Sequence, residues 1–212
     1  MRHIKLLGLI AMATVTGIAF VGTSAASADT EHIVVCGKAE LICENPLVTE
    51  VVEGKEVAQI HGTAKEPKLL TSLGTVTCGK SLANISVLNT LGKSLLGHLT
   101  ELTFTECKLG KTKCEEVKTL SLGDISFTKI GALEASAKSN GGTKVKVKCG
   151  ALIDCTYGGE PLLKAHSSES GETKLLATKT TVLTELGEKF ICPDTSEWDA
   201  TYPASGTMWI ES

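Results

Sequence analysis

Residues 143–149 read TKVKVKC, and this alternation of lysine with apolar side chains is the clearest indication of the fold class. Side chains of a β-strand point alternately to opposite faces, so Val145, Val147 and Cys149 share one face and the three lysines share the other. The apolar face is suited to a core and the lysine face to solvent. The charge suits a strand at a sheet edge, where lysines discourage stray pairing. An anion-binding strip of lysines is the alternative interpretation.

Similar short runs recur along the chain, separated by glycines and other turn residues. Many short strands at this spacing are typical of sandwiches and barrels. The predicted fold is therefore all-β, a single antiparallel β-sandwich or flattened β-barrel stapled by disulfides, with at most one short helix. The predicted strands cover residues 32–36, 47–53, 57–63, 70–78, 82–87, 98–106, 116–122, 125–133, 144–149, 162–166, 174–180, 182–192, 198–202 and 207–211.

Two local features refine this pattern. Gly54-Lys55 separates two predicted strands and predicts a tight hairpin turn. Leu88, Leu91, Leu95 and Leu99 recur at helical spacing, although glycines interrupt them. The one short helix that the sequence allows would lie there.

The first 28 residues form a predicted signal peptide. A basic start with Arg2 and Lys5 precedes an uncharged apolar run of about 16 residues and a group of small residues that ends at Ala28. The apolar run is shorter than the roughly 20 residues that a membrane-spanning helix needs, which favours cleavage over a membrane anchor. We expect a cleaved signal peptide at residues 1–28 and one all-β domain at residues 29–212, secreted and without a membrane span.

Eight cysteines follow the predicted signal peptide, and an even number in a secreted chain predicts a disulfide framework. Eight cysteines allow about a hundred disulfide connectivities. Their spacing along the chain favours one connectivity but does not establish it. Three pairs bracket short turn-like stretches, which favours the hairpin bridges Cys36–Cys43, Cys107–Cys114 and Cys149–Cys155 and leaves Cys78 with Cys192. The predicted disulfide cysteines are Cys36, Cys43, Cys78, Cys107, Cys114, Cys149, Cys155 and Cys192.

The same spacing disfavours metal and redox chemistry. Zinc sites usually place about two to four residues between paired cysteines, and redox-active pairs are typically Cys-x-x-Cys. Neither pattern occurs, and His32 is a single histidine near one pair. A calcium site formed by Asp194, Glu197 and Asp199 is the alternative, but the spacing differs from known calcium loops. The sequence predicts no metal and no cofactor.

Residues 74–81, GTVTCGKS, match the phosphate-loop pattern Gly-x4-Gly-Lys-Ser. That loop binds phosphate when a strand leads into it and a helix follows, but the residues after Ser81 have the pattern of a strand. Cys78 inside the loop is also a predicted disulfide cysteine. We interpret the stretch as strand–turn–strand with Gly79 at the turn.

The sequence contains no recognisable catalytic constellation. The four histidines after the predicted signal peptide, His32, His61, His98 and His166, are not accompanied by a Gly-x-Ser-x-Gly nucleophile elbow. Carboxylates that cleave glycosides meet only in space, so acids near predicted turns are the alternative. Those acids are Asp124, Asp154, Glu160, Asp194, Glu197 and Asp199. We predict no catalytic residue, and the sequence favours a non-enzymatic protein over an enzyme.

Trp198 and Tyr202 form the candidate binding surface, because they share one face of a predicted strand with Ala200. The alternative is that this face belongs to the core. A net charge of −3 gives no electrostatic footprint for nucleic acid and no polybasic patch for anionic lipid. The expected partner is a cell-surface component or an extracellular protein.

Three stretches carry a family resemblance: residues 102–107 (LTFTEC), residues 149–159 with CTYGG at their end, and residues 192–202 with WDATY at their end. They resemble a loose group of small, secreted, cysteine-bridged all-β proteins of high-GC Gram-positive bacteria that have no assigned function. The resemblance covers roughly residues 70–212. It implies a secreted bacterial β protein and transfers no catalytic residues.

The predicted function is that of a secreted, disulfide-stabilised, non-enzymatic β protein, a structural or binding module at or outside the cell surface. One alternative is a secreted hydrolase that uses loop carboxylates. The other is an inhibitor or toxin-like protein that docks a disulfide-held loop, Cys107–Cys114 or Cys149–Cys155, on its target. A preorganised loop suits that role because it loses less entropy on binding.

Overall fold

The computed structural model describes residues 33–37, 43, 46–89, 93–131, 133–151, 153–168, 172–186, 192–205 and 207–209. The predicted signal peptide, His32 and Leu91 lie outside these residues. Within them the chain forms strands and turns, and no helix is long and apolar enough to cross a membrane. The strands are β1 (Val34–Cys36), β2 (Glu50–Val52), β3 (Lys55–Lys65), β4 (Lys68–Thr71), β5 (Gly74–Thr77), β6 (Lys80–Leu88), β7 (Ser94–Thr105), β8 (Lys108–Leu109), β9 (Thr112–Lys113), β10 (Glu116–Ser121), β11 (Asp124–Gly131), β12 (Glu134–Ser139), β13 (Lys144–Cys149), β14 (Ile153–Gly158), β15 (Leu162–Ser167), β16 (Thr173–Leu186), β17 (Thr195–Ser205) and β18 (Thr207–Trp209).

Eight antiparallel strands close into a barrel in the order β3-β6-β7-β11-β12-β15-β16-β17. The ring closes where β17 pairs with β3, with Ala204 opposite Gly62. A closed ring pairs both edges of each strand, so the backbone groups satisfy one another. The structure confirms the predicted disulfide-stapled, antiparallel all-β fold and selects a barrel over a sandwich.

The barrel interior combines a few large side chains with many small ones. Phe127 and Leu95 are fully buried, and Tyr202 projects inward from β17. Alanines face them from the neighbouring strands, among them Ala135 and Ala137 on β12. Successive side chains of a strand point to opposite faces, so every second residue faces the barrel interior. Where that residue is an alanine it leaves space, and the large side chains fill that space.

A second core lies beyond one end of the barrel. The long strands β16 and β17 continue past the ring and pair with further strands of the same sheet, in the order β10-β13-β14-β16-β17-β4-β5-β8-β9. A register shift between Ala177 and Thr180, with Lys179 at φ 46°, marks the change in β16. The second core contains three disulfides packed with Val147 and Ile153.

All eight cysteines form disulfides, as the sequence predicted, but three of the four predicted pairings are wrong. Cys36–Cys43 is confirmed. The other bridges are Cys78–Cys107, Cys114–Cys149 and Cys155–Cys192. Each of these three joins elements from different parts of the second core.

The wrong pairings have a structural cause. Across the β13–β14 hairpin Cys149 lies opposite Ile153, and Cys155 lies opposite Val147, so the two cysteines are out of register. Cys114 does meet Cys107 across the β8–β9 hairpin, through a 2.9 Å backbone hydrogen bond, but both sulfurs bond elsewhere. The two predicted disulfide-held loops are therefore not closed by bridges of their own.

The predicted hairpin is confirmed, but its turn residues are Glu53-Gly54 and not Gly54-Lys55, and the suspected helix is wrong. Val52 pairs with Lys55 across a two-residue turn in which Glu53 and Gly54 have φ of 51° and 78°. That conformation matches the twist of the flanking strands and favours glycine. Leu95 and Leu99 lie instead on the inner face of β7. A spacing of four residues is even, so it satisfies one face of a strand as well as one face of a helix.

Two further interpretations are resolved by the topology. The lysine strand is β13, which lies between β10 and β14 and not at a sheet edge. The phosphate-loop match is a strand–turn–strand, as we interpreted it, with β5 before and β6 after Cys78 and Gly79. Cys78 is bridged to Cys107, so a disulfide restrains that loop.

Candidate functional site

An apolar cavity of about 150 Å³ lies where the barrel core meets the disulfide core. All of its lining residues are uncharged, and most are aliphatic. The barrel contributes Ile85, Leu99 and Ile125, and the disulfide core contributes Leu69, Val76 and Val147. Native interiors contain few voids larger than a water molecule, so a space of this size is a candidate ligand site.

A bulge in β7 allows this strand to line the cavity on both sides of the bulge, with Leu99 before it and Leu102 and Phe104 after it. Leu99 pairs with Ile85 and Glu101 pairs with Asn84, so Thr100 is the extra residue. Without it, strict alternation would direct Glu101 inward after Leu99. The bulge instead keeps Glu101 outside, where its carboxylate accepts a 2.6 Å hydrogen bond from Asn84 Nδ2. The cavity wall therefore stays free of charge.

Aromatic side chains form another wall. Phe104 and Trp198 meet edge to face, with ring centroids 5.5 Å apart and planes at 88°. The Tyr202 hydroxyl lies 3.0 Å from Ser81 Oγ. Burial raises the pKa of Tyr202 to about 12, although hydrogen bonds with Ser81 and Trp198 oppose the rise. Trp198 and Tyr202, which the sequence singled out as a candidate binding surface, line this interior cavity.

Two polar side chains in the lining, those of Ser139 and Tyr157, are buried. Each is 4% exposed, and Ser139 Oγ forms no hydrogen bond. Burial raises the pKa of Tyr157, and a hydrogen bond with the Ser196 hydroxyl on β17 opposes the rise. A buried hydroxyl without a partner is rare in native proteins and requires an explanation.

A seam between β7 and β10 runs beside the cavity. The two strands share no backbone ladder, and the Thr119 hydroxyl bridges them by donating to the Leu102 carbonyl. A shallow groove lined by residues 100–102 and 119–122 follows this seam. Leu102 lines both the groove and the cavity.

The lysine strip of β13 is balanced by acids on neighbouring strands. Lys146 lies 3.1 Å from Glu116 and 3.8 Å from Asp154, and its pKa is raised by the hydrogen bond and charge of Glu116 and by the charge of Asp154. Lys144 forms an ion pair with Glu185. Lys148, the third lysine of the strip, lies 4.0 Å from Asp154. Because each lysine has an acidic neighbour, the strip is not an unopposed anion site.

Ser86, His98 and Asp124 come closest to a catalytic arrangement. They occupy one row across β6, β7 and β11, and His98 Nδ1 lies 2.7 Å from Asp124 Oδ1. The His98 and Asp124 side chains are 56% and 69% exposed, and Ser86 makes no hydrogen bond to His98. A serine nucleophile needs its base within hydrogen-bond reach and a site that excludes water. The row lacks both features.

The other candidate polar residues do not converge. Among the histidines, His61 Nδ1 lies 2.9 Å from Asn84, and His166 Nδ1 lies 3.7 Å from Glu134. Among the acids, Glu160 lies 2.7 Å from Lys138 on the exterior. In the part of the chain that the structure describes, no three metal-ligating side chains are grouped closely enough to hold an ion.

Comparisons of the chain with family models, curated proteins and solved structures give no match. The fold and site together define a disulfide-stapled, all-β barrel protein with an apolar cavity between its two cores. Its function is inferred from its own residues.

Proposed function

We propose that this chain is a secreted, non-enzymatic binding module that holds a small uncharged molecule in the cavity between its two cores. The cavity is the observation that carries the proposal, because its lining is uncharged and largely aliphatic. Four disulfides support an extracellular location, since such bridges form and persist in oxidising compartments. The resemblance to secreted bacterial β proteins is consistent with that location.

The size of the cavity sets the size of the ligand. Leaving such a volume unfilled costs roughly 24 cal/mol per Å³, or about 3–4 kcal/mol for about 150 Å³. An apolar cavity of this volume stays dry and accepts a benzene-sized molecule. At about 0.7 kcal/mol per atom, a ligand of about seven non-hydrogen atoms would bind with a Kd on the order of 0.2 mM.

The β7–β10 seam is the access route in this proposal. Leu102 and Val117 line the cavity from the two strands that border it. Opening the seam between β7 and β10 breaks no backbone ladder. It requires that the hydrogen bond from the Thr119 hydroxyl to the Leu102 carbonyl breaks. A ligand would therefore exchange without unfolding the barrel.

Toluene titration of the isotope-labelled mature protein, followed by methyl NMR, tests the proposal. We expect saturable shifts at methyl groups of the lining residues, and little change at exterior methyl groups. Val145→Phe should abolish these shifts by filling the cavity, whereas Val51→Phe, at a side chain that is 64% exposed, should preserve them. An unperturbed spectrum at saturating toluene would contradict the proposal, and so would equal binding by Val145→Phe.

A further inference from the structure

We infer that the occupant of this cavity is a neutral alcohol, whose apolar chain fills the cavity and whose hydroxyl donates a hydrogen bond to Thr119 Oγ1 in the groove along the β7–β10 seam. This inference rests on the proposed function and names the ligand class for the same cavity. The cavity lining indicates the apolar chain, and the polar side chains of the groove indicate where the hydroxyl lies.

Thr119 lies at the boundary between the groove and the cavity. Across the β10–β13 ladder it is directly opposite Val145, which lines the cavity. Val117, two residues earlier, is opposite Val147, and both also line the cavity. Residues directly opposite in an antiparallel pair share a face, with their Cβ atoms about 5 Å apart. On its other side the Thr119 hydroxyl bonds the carbonyl of Leu102, which lines both spaces.

Backbone hydrogen bonds close the seam at both of its ends. The Leu99 amide donates to the Gly123 carbonyl at 3.0 Å, and the Cys114 amide donates to the Cys107 carbonyl at 2.9 Å. Between these ends the two strands, both fully described by the structure, share no ladder, and the Thr119 hydroxyl bridges them. The strands can therefore separate around Thr119 while both ends of the seam stay fixed.

The polar side chains that line the groove all present hydrogen-bond acceptors. Thr100, Thr119 and Ser121 each donate their hydroxyl hydrogen to a backbone carbonyl. A hydroxyl whose hydrogen is engaged in this way offers a ligand only its lone pairs. Glu101 also lines the groove, and an ionised carboxylate has no hydrogen to donate. A ligand group that pairs with these side chains is therefore a hydrogen-bond donor.

The surroundings of Thr119 favour a neutral donor over a charged one. An ammonium group at Thr119 would lie against the apolar side chains of Leu102 and Val145, where the loss of its hydration is costly. A carboxylate has no hydrogen to donate, and it would add a negative charge beside that of Glu101. An alcohol supplies a donor without a charge, and its apolar chain meets the aliphatic lining of the cavity.

Calorimetric titration with 1-hexanol and its isomer methyl pentyl ether tests this inference, because the alcohol can donate a hydrogen bond and the ether cannot. A six-carbon chain suits a cavity that accepts a benzene-sized molecule. In the unmodified protein we expect 1-hexanol to bind more tightly than the ether. Thr119→Val removes the oxygen and should lower the affinity of 1-hexanol relative to the ether about fivefold, the value of one net hydrogen bond. Thr119→Ser keeps the oxygen and should preserve the preference.

Matched controls separate this effect from a general loss of structure. Thr128→Val makes the same substitution at an exposed position of β11 and should leave the preference unchanged. Toluene binding by Thr119→Val shows whether its cavity is intact, because toluene has no polar group. Nuclear Overhauser effects in the unmodified protein need no variant. We expect the methylene next to the 1-hexanol oxygen to contact the Thr119 methyl group, and the terminal methyl group to contact Ile85 inside the cavity.

The outcomes distinguish this inference from the proposed function. Equal binding of the two isomers, or a preference that Thr119→Val leaves unchanged, would overturn the inference. Tighter binding of hexylamine than of 1-hexanol would also overturn it, and so would Overhauser effects that place the alcohol oxygen away from Thr119. Toluene binding would keep the proposed function in each of these cases. The absence of binding by toluene and by both isomers would defeat the proposed function itself.

Discussion

Removal of the Cys114–Cys149 bridge should damage both the stability and the cavity of this protein. The two cysteines are 35 residues apart, and loop entropy for a closure of that length contributes about 4 kcal/mol. Both are buried in the second core, so replacement by alanine also removes packed sulfur atoms, for about 1 kcal/mol more. We expect Cys114→Ala with Cys149→Ala to lower the free energy of unfolding by about 5 kcal/mol.

The Cys36–Cys43 bridge supplies the matched control. Its cysteines are 7 residues apart and lie outside the core with the other three bridges, so its loop entropy is about 2.5 kcal/mol. Guanidinium unfolding without reductant measures both double variants, and toluene titration under folding conditions measures their cavities. The Cys36 and Cys43 double variant should retain toluene binding, whereas the Cys114 and Cys149 variant should lose at least tenfold. Equal losses of stability, or undiminished toluene binding without Cys114–Cys149, would refute this reasoning.

Three further predictions concern single positions. Because burial raises the pKa of Tyr202 from 10.0 to about 12, its contribution to stability is complete below about pH 10 and is lost as the pH rises towards 12, by up to about 3 kcal/mol. Thermal unfolding of Tyr202→Phe should show a weaker alkaline decline, and identical declines would contradict the prediction. Gly54→Ala places a Cβ at φ 78° and should cost about 1 kcal/mol in denaturant unfolding, which an unchanged midpoint would disprove. Thr119→Val removes the hydroxyl that bridges to Leu102, so toluene exchange in NMR line shapes should accelerate several-fold at similar Kd; an unchanged exchange rate would place the access route elsewhere.

Strands with a strong alternation of apolar and polar residues were predictable, because a strand that buries one face carries an apolar side chain at every second position. β13 is the clearest case, and its valines face the core as expected. β12 was not predicted, because its sequence EASAKS has small residues with weak strand preference. Its Ala135 and Ala137 are nevertheless fully buried, since the barrel interior requires small side chains there.

The disulfide framework was predictable, but most of its connectivity was not. Local spacing identified Cys36–Cys43, which closes a short loop. The other bridges depend on which strands the fold brings together over separations of 29, 35 and 37 residues. Hairpin register decides which side chains meet, and the spacing of cysteines along the chain does not determine it.

The candidate site was predictable only in part. Period-two alternation identified Trp198 and Tyr202 as sharing a face, and closure of the barrel decided that this face lines a cavity. Ser139 and Tyr157 were missed, because a serine ending a short strand and a tyrosine near a cysteine are common patterns. Their place in the lining depends on which strands the fold brings together, which no local pattern contains.

A crystal structure of the protein under xenon pressure tests the central claim most directly, because xenon occupies apolar cavities of this size. We expect a well-occupied xenon site between the barrel and the disulfide core, in contact with Ile85, Leu99 and Val147. An interior without xenon, with side chains filling the space among these residues, would contradict it.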